Sequence, residues 1–207
     1  MANTTRKIIR AHGVQVLLSR HPEIRKLKRL NAPCFHGNKL WSSSWLLMDY
    51  WKRRGLMKGA QVMEAGCGWG LAGIYCAKKQ GARVTCVDID PEVFPYLHLH
   101  ADINKVKIAT MKKGFAGLSG KHLEDVDVLI GSDICFWDTM VDPLRRFIRR
   151  ALRSGVQLVL IADPGRPTFE KIGEYFVKKE GAEIFDWTTQ RPRRIEGRIL
   201  KISSNGR

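Results

Sequence analysis

The fold of this protein is decided by one stretch, Gln61-Val62-Met63-Glu64-Ala65-Gly66-Cys67-Gly68-Trp69-Gly70. Its apolar start predicts a buried strand, and its glycines at alternate positions predict a tight turn after that strand. Residues 71–80 then predict a helix, for which Gly81 supplies a common terminator. Glycine is needed where a chain turns tightly and a ligand approaches the backbone closely. The stretch therefore indicates the opening strand, turn and helix of a nucleotide-binding βαβ unit.

A second carboxylate indicates the kind of ligand. Residues 83–88 predict the next strand, which ends in Asp88, 24 positions after Glu64. A carboxylate about 20 residues beyond such a turn accepts the hydroxyl groups of a ribose. Dinucleotide-binding turns read G-x-G-x-x-G, whereas this turn reads E-x-G-x-G-x-G and has an acid where a phosphate would be repelled. The pattern suits a ligand that carries an ammonium group and a ribose but no phosphate, and S-adenosylmethionine (SAM) fits.

The rest of the chain alternates between predicted strands and helices. Further strands are predicted at 106–110, 126–133, 156–162, 183–188 and 198–203, and further helices at 92–104, 144–153 and 168–180. This order predicts an α/β fold: a Rossmann-like open sheet of seven strands, mostly parallel, with an antiparallel C-terminal hairpin and helices on both faces. Ligands of such sheets bind at the carboxyl ends of the strands. Four acids are predicted to stand at such ends: Glu64, Asp88, Asp133 and Asp163.

The composition narrows the class of protein. The chain has 207 residues, 44% of them hydrophobic, so it can bury a full core. It has no apolar run of 18 residues, and its first residues lack the apolar core of a signal peptide, so neither a membrane span nor a leader is expected. Five scattered cysteines favour free thiols in a reducing cytoplasm, and no metal site is expected. The net charge of +16 favours an acidic partner, nucleic acid included, although it also serves solubility.

The first 39 residues are predicted to be a helical extension. Two short helices are expected, at 5–19 and at 22–30, and the second has a basic face. Asn31-Ala32-Pro33 breaks the helical pattern and marks a boundary. The sheet domain is then expected to occupy residues 40–207.

The order of elements and the segment Glu64–Gly70 resemble the class I, seven-strand SAM-dependent methyltransferases over about residues 40–203. Shorter segments are similar to those of the protein-lysine methyltransferases that include the enzyme modifying the electron-transfer flavoprotein β subunit. These segments are Leu40-Trp41-Ser42, Ser132-Asp133-Ile134-Cys135-Phe136 and Ala162-Asp163-Pro164-Gly165-Arg166-Pro167. Ser42 and Phe136 stand where many of those enzymes have proline and tyrosine. The resemblance implies that residues 40–207 move a methyl group from SAM to an amine, most often a lysine side chain of a protein.

The candidate site residues follow from the residues and the resemblance together. For the cofactor we predict Trp41 as a wall of the pocket, Glu64 near the ammonium group, Gly66, Gly68 and Gly70 under the methionine, Asp88 at the ribose, Phe115 at the adenine, and Asp133. For catalysis we predict that Asp133 accepts a hydrogen bond from the acceptor amine and aligns its lone pair. Phe136 and Trp137 are expected to line the acceptor slot and to attract the amine through cation–π contacts.

Other functions are compatible with the sequence. The charge suits an RNA or DNA methyltransferase, but the segment after Ser132 lacks the Asn/Asp-Pro-Pro-aromatic motif of base amino-group methylation, and Cys135 lacks a preceding proline. A small-molecule amine N-methyltransferase and a non-catalytic SAM-binding interaction protein are further alternatives. The oligomeric state and the number of methyl groups transferred do not follow from the sequence.

Overall fold

A computed structural model describes residues 7–34 and 37–204. Residues 1–6 lie outside these ranges. They include the start of the chain, for which no signal peptide is predicted, and the first two residues of the helix predicted at 5–19. None of the helices within the described ranges is both long and apolar enough to cross a membrane.

Seven strands form one sheet, as predicted. Their bounds are β3 (Gln61–Ala65), β4 (Arg83–Asp88), β5 (Ala109–Lys112), β6 (Val128–Ser132), β7 (Leu158–Asp163), β8 (Glu183–Thr189) and β9 (Ile195–Ser203). The spatial order is β5-β4-β3-β6-β7-β9-β8. Strands β3 to β7 pair in parallel, and β9 pairs antiparallel with both β7 and β8. The chain leaves β3 toward β4 on one side and returns to β6 on the other, so the ligand crevice is expected between β3 and β6.

Helices cover both faces of this sheet, which confirms the predicted architecture. The α-helices of the described chain are α1 (Pro22–Leu30), which packs on α4 and not on the sheet, α2 (Ser43–Arg54), α3 (Leu71–Gln80), α4 (Phe94–Asn104), α5 (Val141–Arg153) and α6 (Pro167–Glu180). One apolar core lies between the sheet and α2, α3 and α4. A second core lies on the opposite face beneath α5 and α6. Trp45 and Met48 on α2 are fully buried in the first core.

The prediction of a helix at 5–19 is wrong. The described part of that segment is a hairpin of β1 (Ile8–Ala11) and β2 (Val14–Leu17), paired antiparallel. His12 and Gly13 form its turn, and both have positive φ angles, of 51° and 81°. This geometry matches the right-handed twist of paired strands and favours glycine at the second position. The described part of the extension is therefore a hairpin followed by the helix α1, which is confirmed from Pro22 to Leu30.

The hairpin packs on the sheet domain. The backbone N–H of Leu17 donates to His100 Nε2 at 3.1 Å, and the Asn104 side chain pairs with both backbone groups of Gln15 at 2.9 and 2.8 Å. Val14 and Val16 are buried in the same core as α3 and α4. The apolar residues of this segment were expected to line one face of a helix. They form strands instead, because Val14 and Val16 are buried on the side that faces α4.

The third strand of the sheet lies later in the chain than predicted. Lys105 ends α4 in a left-handed conformation, with φ of 59°, and the strand begins at Ala109 rather than Val106. Its register places Lys112 opposite Asp88. The loop after β5 therefore starts level with the acid that ends β4.

Candidate active site

The glycine turn follows β3 and leads directly into α3. Gly66, Gly68 and Gly70 all have positive φ angles, between 50° and 66°. A Cβ on Gly66 would lie 2.7 Å from Ile134 Cγ2, and one on Gly70 would lie 2.6 Å from Leu97 Cδ1. A Cβ on Gly68 would meet no protein atom within 4 Å. Gly66 and Gly70 are thus required by packing as well as by backbone conformation, whereas Gly68 faces open space.

Glu64 is buried behind this turn. Its Oε2 accepts a hydrogen bond from the backbone N–H of Gly73 at 2.8 Å and a weaker one from the Cys86 thiol at 3.5 Å. Burial raises the pKa of Glu64 to about 7, although the hydrogen bond from Gly73 opposes the shift. A buried carboxylate without a cation nearby is costly. Its position suits a cationic group of a ligand, which would stabilise the ionised form.

Asp88 connects the turn to the end of β4. Its Oδ2 accepts from the Gly68 N–H at 2.9 Å, and its Oδ1 accepts from the Asp90 N–H at 3.0 Å. Burial raises the pKa of Asp88, and these two hydrogen bonds act against that shift. An ionised carboxylate can accept about four hydrogen bonds, so this group retains acceptor capacity for the hydroxyls of a ribose.

A cavity of about 360 Å³ runs along the carboxyl ends of the strands. A small recess of about 30 Å³ adjoins it at the glycine turn. The cavity is lined by most of the predicted site residues: Trp41, Gly66, Gly68, Asp88, Phe115, Asp133, Phe136 and Trp137. The other two, Glu64 and Gly70, line the recess, to which Trp41, Gly66 and Gly68 also contribute. The structure thus brings all the predicted residues to one continuous hollow.

Asp133 directly follows β6 and has an unusual backbone conformation. Its φ angle is 57°, in the left-handed region that non-glycine residues rarely adopt. The side chain is buried, and its Oδ2 accepts from the Ser43 N–H at 2.8 Å. Its Oδ1 forms an ion pair with Arg166 Nη2 at 2.9 Å. The start of α2 and a guanidinium therefore fix the orientation of this carboxylate.

Arg166 is a site residue that we did not identify from the sequence. Its Nη1 pairs with Asp163 Oδ2 at 2.6 Å, so one guanidinium joins the acids at the ends of β6 and β7. Burial raises the pKa of Asp163, and its hydrogen bonds from Arg166 oppose the shift. The loop that carries Arg166 was noted for its resemblance, but the residue is one of 36 Lys and Arg in the chain. Its position after the strand neighbouring β6 was the available signal.

Aromatic rings and cations cover the acceptor side of the cavity. Trp41 meets Phe136 edge to face, with ring centroids 4.7 Å apart. The Arg166 guanidinium lies 4.3 Å from the centre of the Phe136 ring, and Lys39 Nζ lies 3.9 Å from that of Trp41. Trp137 lines the cavity and is 46% exposed, which places it at the mouth. A chain entering here would pass between aromatic surfaces.

The opposite end of the cavity is formed by the loop after β5. Phe115 lines it and stacks on Phe147 of α5, with ring centroids 5.2 Å apart. Arg150 donates hydrogen bonds to the carbonyls of Phe115 and Leu118, so α5 holds this loop in place. Ile89, next to Asp88, also lines the cavity and is 56% exposed. We did not predict Ile89, although its position directly after the strand-end acid could have suggested it.

Cys67 lines the recess and the Cys86 thiol donates to Glu64, but the other three cysteines line neither the cavity nor the recess. All five are free thiols, and Cys34 alone is exposed. Burial raises the pKa of Cys135 far above its usual value, and this residue does not line the cavity, so it is unsuited to act as a nucleophile. Within the described ranges, no group of three or more His, Cys, Asp and Glu side chains is arranged to hold a metal.

The order of charged and apolar groups along the cavity is compatible with SAM. Its backbone floor at Gly68 lacks a side chain, and the acids Glu64 and Asp88 flank that floor at the end of adjacent strands. The apolar surfaces of Ile89 and Phe115 lie on the Asp88 side of it. A ligand with a cationic amino acid at one end and an adenosine at the other matches this order of groups.

Two proteins with sequences similar to this chain are protein methyltransferases. The electron transfer flavoprotein beta subunit lysine methyltransferase of Xenopus laevis is 29% identical over 114 residues, 55% of this chain and 46% of that one. A histidine protein methyltransferase 1 homolog of Dictyostelium discoideum is 33% identical over 48% of this chain and 34% of that one. The chain thus spans less than half the length of these relatives.

A solved structure shows the same fold. Precorrin-6y C5,15-methyltransferase from Geobacter metallireducens superposes with a TM-score of 0.60 at 13% identity, over 88% of this chain and 98% of that one. Proteins of this class I fold use SAM as the methyl donor. The sequence profile described as lysine methyltransferase matches residues 31–179. The chain belongs to the lysine methyltransferase family and has the fold of the class I SAM-dependent methyltransferases.

Proposed function

We propose that this protein transfers a methyl group from SAM to a lysine side chain of a protein. The observation that carries the proposal is the continuity of one hollow, from the carboxylates at the glycine turn to an aromatic slot at Asp133. The family supports the lysine acceptor, and two relatives, named for lysine and histidine methylation of proteins, support a protein substrate.

The residues at the glycine turn would hold the cofactor. In this proposal Asp88 accepts hydrogen bonds from the ribose, Glu64 balances the ammonium group, and Gly68 lets the methionine lie on the backbone. When bound, SAM supplies an electrophilic methyl group on a sulfonium. The protein then has to position the acceptor in line and to keep water away from it.

The residues around Asp133 would prepare the acceptor. A lysine side chain has a pKa near ~10.4 in water and must lose a proton before it can attack. A nearby cation disfavours the charged form of an amine, and the Arg166 guanidinium borders the slot. Asp133 already accepts hydrogen bonds from Ser43 and Arg166. Its remaining acceptor positions could bind the N–H of a neutral amine and direct the lone pair.

A lysate assay tests the proposed function. Cell lysate would be incubated with the protein and SAM labelled in its methyl group, then separated into protein, nucleic-acid and small-molecule fractions. We expect label in a protein fraction, on lysine by mass spectrometry, and little label with Asp133→Asn. Label in RNA or DNA, or in a small amine, would contradict the protein acceptor. SAM binding without transfer to any fraction would indicate a non-catalytic role.

The free thiols bear on the cellular compartment of the protein. We propose a cytoplasmic location because all five thiols are free, four of them in buried positions. Nucleic acid as a partner rests on the net charge of +16 alone.

A further inference from the structure

The positive charge of this protein is concentrated at its N-terminal end. Residues 1–58 contain thirteen Lys and Arg but only two acids, Glu23 and Asp49. The remaining residues contain twenty-three basic and eighteen acidic side chains. The first quarter of the chain thus supplies most of the net charge of +16. Such asymmetry within one chain points to an acidic partner more strongly than a uniform excess does.

Part of this charge lines a cleft between the hairpin and α1. The cleft has a volume of about 660 Å³ and is lined by Lys7, Ser19, Arg20, Pro22, Arg25 and Arg29, which we call the N-terminal basic cleft. None of the described residues that line it is acidic. Arg25 and Arg29 lie one helical turn apart on α1, a spacing at which like charges repel. This repulsion therefore lowers the stability of the protein when no ligand occupies the cleft.

Neighbouring acids do not offset this cost. Arg25, Lys26, Lys28 and Arg29 are exposed, and none of them takes part in an ion pair among the described residues. More positive charge lies near the turn of the hairpin, where the Lys79 side chain approaches Gly13. Burial lowers the pKa of Lys78, and the charges of Lys79 and Lys105 lower it further. This end of the chain therefore carries an excess of positive charge, which attracts anionic groups.

Three described residues between the cleft and the active site are held by hydrogen bonds. After α1, the Asn31 carbonyl accepts from the Tyr96 hydroxyl at 3.0 Å, and the Cys34 N–H donates to Asp90 Oδ2 at 2.6 Å. The Gly37 carbonyl then accepts from Trp69 Nε1 at 2.9 Å, and Gly37 lines the cavity. The seven residues from the end of α1 to Gly37 span at most about 25 Å. A protein whose lysine occupies the slot can therefore also reach the cleft.

We infer that the N-terminal basic cleft docks a carboxylate-rich segment of the acceptor protein, an inference that rests on the proposed function. Arginine pairs with carboxylates in a two-pronged geometry, and three arginines line the cleft. Surfaces for single-stranded nucleic acid combine cations with aromatic rings on which bases stack. No described residue that lines the cleft is aromatic, so a polypeptide fits better.

Binding of a simple acidic peptide tests the inference. A dye-labelled oligoglutamate peptide would be titrated with the wild-type protein, with Arg25→Glu/Arg29→Glu, and with Lys178→Glu/Lys179→Glu as a control. The control makes the same change in net charge at exposed positions of α6. We expect the cleft variant to bind at least about tenfold more weakly, since two charge-assisted contacts are lost, and the control to bind like the wild type.

Several results would overturn the inference. Equal losses in both double variants would show that the peptide responds to net charge and not to the cleft. Tighter binding of a labelled single-stranded RNA of the same length, lost in the cleft variant, would assign the cleft to nucleic acid. Thermal unfolding of both variants would establish that each remains folded.

The test separates docking from catalysis. Peptide binding needs no methyl transfer, so it can fail while the lysate assay still labels a protein. Calorimetric titration of SAM into the cleft variant should give the wild-type affinity, because the substituted residues line neither the cavity nor the recess.

Discussion

Asp88 lies where the glycine turn meets the second strand of the parallel sheet. Asp88→Asn keeps an oxygen for the Gly68 N–H but removes the negative charge that would bind the ribose hydroxyls. Hydrogen bonds to a charged group contribute about 1.5–3 kcal/mol. We therefore expect SAM affinity to fall roughly 10- to 100-fold, measured by calorimetry. The exposed residue Asp102 on α4 provides the control, since Asp102→Asn should leave affinity unchanged. Unchanged affinity in Asp88→Asn would remove the ribose assignment.

Asp133 and Arg166 are expected to act on the acceptor rather than on the cofactor. Asp133→Asn would preserve much of the shape of the side chain but lose the charge paired with Arg166. We expect turnover to fall by roughly 100-fold or more, the scale for loss of a positioned proton acceptor, while SAM affinity changes little. Steady-state kinetics with the identified substrate, together with calorimetry, would measure both. A parallel loss of SAM affinity would place Asp133 with the cofactor instead.

Glu64 predicts how SAM affinity depends on pH. The pKa of Glu64 is raised to about 7 by burial, so the free protein takes up a proton here as the pH falls below 7. A cationic ligand binds the ionised form, and its affinity should therefore decrease as the pH is lowered from 8 to about 6. The side chain at position 64 of the Glu64→Gln variant cannot titrate. Any pH dependence that this variant shares with the wild type therefore comes from the ligand or from other groups, and the difference between the two proteins reports on Glu64. The same pH dependence in both proteins would show that Glu64 does not face the ammonium group.

The turn after β3 can be tested by comparing Gly68 with Gly59, a glycine outside the cavity. Gly68 and Gly59 both have positive φ angles, and a Cβ on either would meet no protein atom within 4 Å. Alanine at each position should cost a similar free energy of unfolding, about 1–2 kcal/mol, from backbone conformation. Only Gly68 of the two lines the cavity. We expect Gly68→Ala to weaken SAM binding and Gly59→Ala to leave it intact. Equal affinities would mean that the ligand does not approach Gly68.

The elements of the sheet could be predicted because their signals are local. Alternating apolar runs, glycines after helices and acids after strands each lie within a few residues of the element they define. The hairpin was missed because Ile8, Ile9, Val14, Val16 and Leu17 satisfy helical and strand spacing alike. Burial against α4 decides between the two, and that contact joins residues about 85 positions apart.

The same reasoning explains which part of the site could be predicted. Strand-end acids can be placed together because parallel strands end at one edge of a sheet. Arg166 could not be identified as the partner of Asp133. It lies in the loop after β7, and the path of that loop is set by tertiary packing that the sequence does not show. Arg166 joins two acids only because β6 and β7 are neighbours.

The N-terminal hairpin and the sheet domain should unfold together, in one transition. The Asn104 side chain bonds to Gln15 on the hairpin, to the His100 carbonyl and to Lys78. Asn104→Ala would leave part-buried backbone groups of Gln15 without this partner, at a cost of about 1–3 kcal/mol or less. We expect lower stability in urea and faster hydrogen exchange at Gln15 and Leu17 than at β6. Asn31→Ala, which removes one bond within α1, should change stability less. Hairpin exchange at the wild-type rate would contradict this coupling.

The distribution of tryptophan gives the protein a built-in optical signal. Trp41 and Trp137 line the cavity, and Trp69 donates its indole N–H to Gly37 in the cavity wall. Trp45 and Trp51 are buried within the core and would emit from a constant environment. Ligand entry should therefore change the intensity and wavelength of fluorescence from a defined subset of rings, so occupancy can be followed in real time without a dye. Replacing Trp137, the most exposed ring at the mouth, by Phe would separate acceptor entry from cofactor entry in the emission spectrum.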